Sequence, residues 1–271
     1  MVAAATWGSG DFGGGMLVRR TPVLGVVLVS QLVGTAIALV LALVRGETMP
    51  LPADIPWSIA GGLSGGIGIV ALYRGLAVGR MGVVAPVTGV LAAAIPVVFG
   101  VLLEGLPTAL VVIGIGLAVV AVVLVSRVDD GRAGPSGLGL ALVAGVAIGG
   151  FGVAISQLSD GHAFGPLTII RATEALLIAA LVVLGRQAWR ADRRLLPAMA
   201  GVGVLDMAGN AAFILAVQAG SLAVAAVLSS LYPVTTVILA SVVLGERVTR
   251  SHAAGIALAV GAIACIAVGS S

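Results

Sequence analysis

The sequence predicts an all-α membrane protein with ten transmembrane helices arranged as two inverted five-helix repeats. Three observations predict this: a composition suited to lipid, apolar runs of membrane-spanning length, and marks of an internal duplication. Of 271 residues, 60% are hydrophobic and 9% charged, whereas a soluble domain carries about 25% charged residues. A soluble fold presents a mostly polar face to water and has no place for so much apolar surface. The 40 glycines fit a bundle of transmembrane helices in close contact, where small side chains let backbones approach.

The apolar runs are continuous rather than alternating, so they read as helices and not as strands of a membrane barrel. They predict helices over 2–18, 23–44, 57–79, 82–104, 108–126, 138–158, 165–185, 197–217, 221–244 and 252–269. Most are near the roughly 20 residues that cross the hydrocarbon core. The first is short, and its start is expected a few residues upstream. It lacks a charged leader region and carries Asp11 in its middle, so it does not read as a cleavable signal peptide. The longest joints, 45–56, 127–137 and 186–196, are too short for a soluble domain. Any activity is therefore expected inside the bundle.

Arginine sets the expected orientation. All 14 basic residues are Arg. Joints after the first, third, fifth, seventh and ninth helices hold Arg19, Arg20, Arg80, Arg127, Arg132, Arg186, Arg190, Arg193, Arg194, Arg247 and Arg250; the opposite joints hold Arg45 alone. The positive-inside rule places the Arg-rich joints in the cytoplasm and both termini outside. These arginines punctuate apolar runs and form no nucleic-acid patch. The single cysteine, Cys265, lies in an apolar run and forms neither an internal disulfide nor a thiolate cluster by itself.

The duplication is read from spacing. Gly8-Ser9-Gly10 and Gly150-Phe151-Gly152 stand 142 positions apart, as do Glu104 and Glu246. Leu76-Ala77-Val78 recurs, at a slightly different offset, as Leu215-Ala216-Val217. The expected repeats are 1–130 and 131–271. Two successive units of five helices must enter the membrane with opposite topology. Such inverted repeats are typical of secondary transporters, with the substrate site near the midplane between them.

With these residues in view, the chain resembles the drug/metabolite transporter superfamily in its ten-helix EamA-type form. Thr6-Trp7-Gly8-Ser9 is similar to the family's Trp-Gly-Ser opening. Leu231-Tyr232-Pro233-Val234 followed by Leu244-Gly245-Glu246-Arg247 is similar to its Pro-Val and Leu-Gly-Glu-Arg signature in the ninth helix. The first half departs: Leu102-Leu103-Glu104-Gly105 lacks the Gly-Glu-Arg order, and Pro96 does not stand where Pro233 would predict. The resemblance implies a cavity lined by helices one, three, four, six, eight and nine. It also implies alternating access, with export or uptake of amino acids, other metabolites or drugs.

Several polar residues inside apolar runs are candidate substrate contacts: Trp7, Asp11, Tyr73, Gln157, Asp206, Asn210 and Tyr232. Asp11 is the sharpest, because an intramembrane carboxylate is costly and usually faces a bundle interior or cavity. Trp7 and Gly15, four positions either side, share its face. Asp11 reads as a proton-coupling or cation-binding site, or as a solvated residue near the end of a short helix. Asp206 and Asn210 share a face of the eighth helix and either line the cavity or bond between helices. Arg171 and Glu174 read as a structural ion pair within the seventh helix, and Arg74 as a side chain reaching for the interface. Glu104 and Glu246 read as structural, Glu246 pairing with a nearby arginine or a helix N-terminus. Pro86, Pro96 and Pro233 lie inside predicted helices and are expected to kink them.

The sequence offers little to an enzyme. Gly62-Leu63-Ser64-Gly65 matches the GxSG of intramembrane serine proteases, but a serine nucleophile needs a positioned base. His162 and His252, the only histidines, fall at helix ends or joints. No paired-aspartate metal motif and no nucleotide loop occurs, so no catalytic residue, metal or cofactor is expected. The expected protein is a secondary transporter in a bacterial plasma or inner membrane, moving a small metabolite or drug-like solute, with proton-coupled export through Asp11 as one form. Its expected partners are that solute and the lipid bilayer, with no nucleic acid, and it is expected to be a monomer or homodimer. The alternatives are a passive channel or facilitator, an intramembrane enzyme, or a non-transporting subunit of a larger assembly.

Overall fold

The computed structural model describes residues 2–47, 50–104, 108–126, 137–159, 163–219, 232–246 and 250–269. They form ten α-helices: α1 (Val2–Val18), α2 (Val23–Val44), α3 (Asp54–Val78), α4 (Met81–Glu104), α5 (Ala109–Ser126), α6 (Leu138–Ser156), α7 (Phe164–Leu184), α8 (Leu196–Ala219), α9 (Tyr232–Leu244) and α10 (Arg250–Gly269). A single 3-10 turn, Arg193–Leu195, leads into α8, and Asp192 opens it by accepting the Arg194 N–H at 2.9 Å. Helix α3 starts at Asp54, earlier than expected, because Pro56 falls in the first turn, where its missing N–H has no helical partner to lose. Of the expected ninth helix, 220–231 lies outside the described residues. Helix α4 runs through Pro86 and Pro96 as one span. The narrow joint between α3 and α4 is real: Gly79 is extended and donates its N–H to the Gly75 carbonyl at 2.8 Å.

Five helical stretches among the described residues are long and apolar enough to cross a membrane: Val23–Val44, Asp54–Val78, Leu138–Ser156, Phe164–Leu184 and Arg193–Phe213. Their sides differ in size more than in polarity. Along α3, Ile55, Ile59, Leu63 and Ile67 recur every fourth residue and are exposed, while Gly61, Gly62, Gly65 and Gly68 are buried. That glycine face receives two helices at once. A β-carbon at Gly62 would stand 2.5 Å from Thr173 Cβ and 2.7 Å from the Ile170 carbonyl of α7, and one at Gly68 would stand 2.7 Å from Ile148 of α6. Side chains above the size of hydrogen would force these helices apart, so glycine is what permits the contact.

The helix pairings repeat with the partners exchanged five helices along. Helix α1 packs on α8 as α6 packs on α3; α1 packs on α9 as α6 packs on α4; α2 packs on α8 as α7 packs on α3. Three further contacts join helices five apart in order: α2 with α7, α4 with α9 and α5 with α10. Each of these pairs is antiparallel. Glu47, just past α2, accepts the N–H groups of Phe164 and Gly165 at the start of α7, while Trp189, past the end of α7, lies against Gly25 at the start of α2. Glu246, past α9, accepts the N–H groups of Met81 and Gly82 opening α4. The hydroxyl of Thr108, before α5, donates to the Gly269 carbonyl at the end of α10, at 2.9 Å.

Candidate functional site

A cavity of about 180 Å³ lies where α1, α3, α4, α6, α7, α8 and α9 converge. One wall is apolar: Gly65, Ile69 and Leu72 of α3, Ala92 of α4, and Ile148 and Phe151 of α6. The other is polar: Trp7 and Asp11 of α1, Arg171 and Glu174 of α7, Asp206 and Asn210 of α8, and Tyr232 of α9. The apolar wall follows from the α3 glycines, which bring α6 and α7 inward. A β-carbon at Gly65 would collide with the Glu174 carboxylate, so the Gly65 position leaves room for that side chain at the cavity edge.

Arg171 organises the polar wall. Its Nη1 meets Glu174 Oε2 at 2.8 Å and its Nη2 meets Asp206 Oδ2 at 2.8 Å. Nη1 also donates to Gln31 Oε1 of α2 at 3.3 Å. One guanidinium thus joins α2, α7 and α8. Burial without these partners would be prohibitive, and fork geometry suits Arg to serve two carboxylates at once. The Glu174 side chain is 2% exposed and the Asp206 side chain 27%, so Asp206 is the member of the triad turned most to open space.

The Asp206 carbonyl is a second meeting point. It accepts the indole N–H of Trp7 at 3.2 Å and the Asn210 side-chain amide at 2.9 Å. Trp7 fits there because α8 has Gly209 beneath it: a β-carbon at Gly209 would stand 2.5 Å from the indole Cδ1 and Nε1. Phe213 lies against the indole, with ring centroids 6.0 Å apart. Tyr232 reaches α4, where a β-carbon at Gly89 would meet its hydroxyl at 3.4 Å. Asp11 lines the cavity half-buried, with no hydrogen bond or ion pair to any described residue.

The structure therefore brings Trp7, Asp11, Asp206, Asn210 and Tyr232 to one cavity. Gln157 stands elsewhere; Tyr73 does not line the cavity but lies within electrostatic reach of Asp11, Asp206, Arg171 and Glu174. Tyr73 is 2% exposed and its ring packs on Gly14 of α1. Gln157 ends α6, exposed, beside the Ser156 hydroxyl. Arg171 and Glu174 form the expected ion pair but are also part of the cavity wall, so α7 joins the six helices that the sequence pointed to. The expectation was incomplete because the Asp206 partner comes from another helix. Ser64 of the GxSG run donates to the Ala147 carbonyl of α6 at 2.6 Å, a helix-contact bond, and His162 lies outside the described residues. Arg74 is exposed. Glu246 takes the helix N-terminus among its expected partners. Glu47, which plays the same part for α7, carries no sequence signal beyond its place in a joint.

Apolar helices, five of them among the described residues long enough to cross a membrane, and a charge-lined cavity between them are those of a multi-pass membrane protein. The chain belongs to the EamA-like transporter family, whose model matches residues 1–127 and 135–268. A solved crystal structure has a similar fold, with a TM-score of 0.60 at 20% identity, over 97% of this chain and 95% of that one. The comparison with curated protein sequences finds no significant match.

Proposed function

We propose that the chain is a secondary transporter that exports a small metabolite or drug-like solute across the cell membrane by alternating access, in exchange for a proton. The two halves, 1–130 and 131–271, are inverted repeats, with the Arg-rich joints in the cytoplasm and both termini outside. The observation that carries this reading is the cavity's position between the halves: Trp7 and Asp11 come from the first, Arg171, Asp206 and Tyr232 from the second. The exchange of packing partners five helices along supports two related halves. The antiparallel α2–α7, α4–α9 and α5–α10 pairs support their inversion, since corresponding helices of a parallel duplication would run the same way. Asp11 is the proton-coupling residue, and Trp7, Asp206, Asn210 and Tyr232 contact the solute.

Proteoliposomes loaded with unlabelled solute test this. Labelled solute should accumulate transiently by counterflow, and an imposed pH gradient should drive uptake. Asp11→Asn should lose the response to the gradient. An unchanged response would sink the coupling role of Asp11. Downhill flux with no counterflow would instead favour a passive facilitator.

A further inference from the structure

We infer that the cavity selects a small organic cation: an ammonium group seated at Asp11, with an apolar body against the α3 and α6 wall. This rests on the cavity being the solute site. The argument is one of charge balance. Three carboxylates line the cavity, Asp11, Glu174 and Asp206, against one guanidinium, Arg171. Both terminal nitrogens of Arg171 are engaged, one with each carboxylate of α7 and α8, at 2.8 Å. Fully ionised, that triad would hold two negative charges and one positive, and Asp11 would add a third negative charge.

Among the described residues that line the cavity, Arg171 is the single cation. A carboxylate removed from bulk water with no partner is costly, and an ammonium group would supply the counter-charge that the described wall does not offer Asp11. An anionic solute would meet surplus negative charge and an arginine already shared between two carboxylates.

The rest of the wall fits a cation as well. The donor of Trp7 is engaged by the Asp206 carbonyl, which leaves the indole π-system as its contribution to a ligand. Phe151 and Tyr232 add two more rings. Aromatic faces attract ammonium groups, most strongly when both are out of water. Ile69, Leu72 and Ile148 offer only apolar contact to the remainder of the molecule. At about 180 Å³ the space is below the roughly 300 Å³ where drug-sized sites begin, so the cation is a small one.

The test uses three probes of one shape: choline, its uncharged carbon isostere dimethylbutanol, and the matching anion dimethylbutanoate. Binding to the purified full chain in nanodiscs is read by calorimetry, and exchange by counterflow in proteoliposomes. Choline should bind, the alcohol roughly 30-fold or more weakly, in line with loss of one partner of a desolvated charge pair, and the anion not at all. Asp11→Asn should abolish the preference for choline over the alcohol, and Asp11→Glu should retain it. Equal binding of choline and the alcohol overturns the inference, because it means a proton alone balances Asp11. Preference for the anion, or no binding of choline, also overturns it. Exchange of uncharged or anionic solutes without choline overturns the cation site and leaves the transporter reading intact. Choline bound but never exchanged does the reverse.

Discussion

At Gly209 the backbone of α8 lies so close to the Trp7 indole that one methyl group would displace it. Ala in place of a helical Gly ordinarily gains up to about 1 kcal/mol, and Gly201 of the same helix, with nothing within 4 Å of its would-be β-carbon, should realise that gain. Overpacking at Gly209 costs about 1–3 kcal/mol. Thermal unfolding in detergent should therefore rank Gly201→Ala above wild type and Gly209→Ala below it, and Gly209→Ala should also weaken solute binding by moving Trp7 off the Asp206 carbonyl. Equal stabilisation by both variants would mean that Trp7 does not rest on Gly209. Arg171 gives a second contrast. Arg171→Met strands Glu174 and Asp206 and should cost about 3–5 kcal/mol, with much of the loss recovered when Glu174→Met is added. A double variant as unstable as the single would show that the stranded charge is not the cause. Asp11, Asp206 and Asn210 were legible in the sequence because a polar side chain stands out in any apolar run. The triad was not, because the bond between Arg171 and Asp206 depends on how far apart two helices lie. Gln157 falls outside the cavity for a related reason: when every side of a helix is apolar, periodicity does not say which side faces the centre.

Among elements, the helix spans were legible to within a few residues, since lipid thickness and the Arg, Pro and Gly joints set them together. Their mutual fastening was less so. Glu47 and Glu246 each reach across to open a helix of the other half, where unpaired N–H groups and the helix dipole favour an anion. The Glu47 bonds, 2.8 and 2.9 Å, are shorter than those of Glu246, 3.1 and 3.3 Å. Replacing a helix cap costs about 0.5–2 kcal/mol. Glu47→Gln should therefore lower the unfolding temperature more than Glu246→Gln, read by the same detergent unfolding assay. The opposite order would mean that Glu246 contributes through something other than the cap. The sequence left Glu246 a nearby arginine or a helix N-terminus as partner, and its place at the end of the ninth helix was marked by the Leu-Gly-Glu-Arg run. Nothing comparable marks Glu47, whose partner lies 117 residues away.

For the whole molecule, the proposed inversion of the halves would have a consequence that neither half would have alone. The joint after α2 and the joint after α7 follow corresponding helices. If the repeats are inverted, these joints face opposite sides of the membrane; in a parallel duplication they would face the same side. Gly46 and Gln187 are exposed in those two joints, and Cys265 is the single native cysteine, so a Cys265→Ala background admits one reporter at a time. The proposed orientation puts the Arg-rich second joint in the cytoplasm. A membrane-impermeant maleimide added to intact cells should therefore label Gly46→Cys and spare Gln187→Cys, and inside-out vesicles should reverse the pattern. Labelling of both from one side would refute the inversion, since the antiparallel α2–α7 contact would then have to be abandoned with it. Labelling of Gln187→Cys alone from outside would keep the inversion and turn the protein over, so that the solute and proton directions exchange with it.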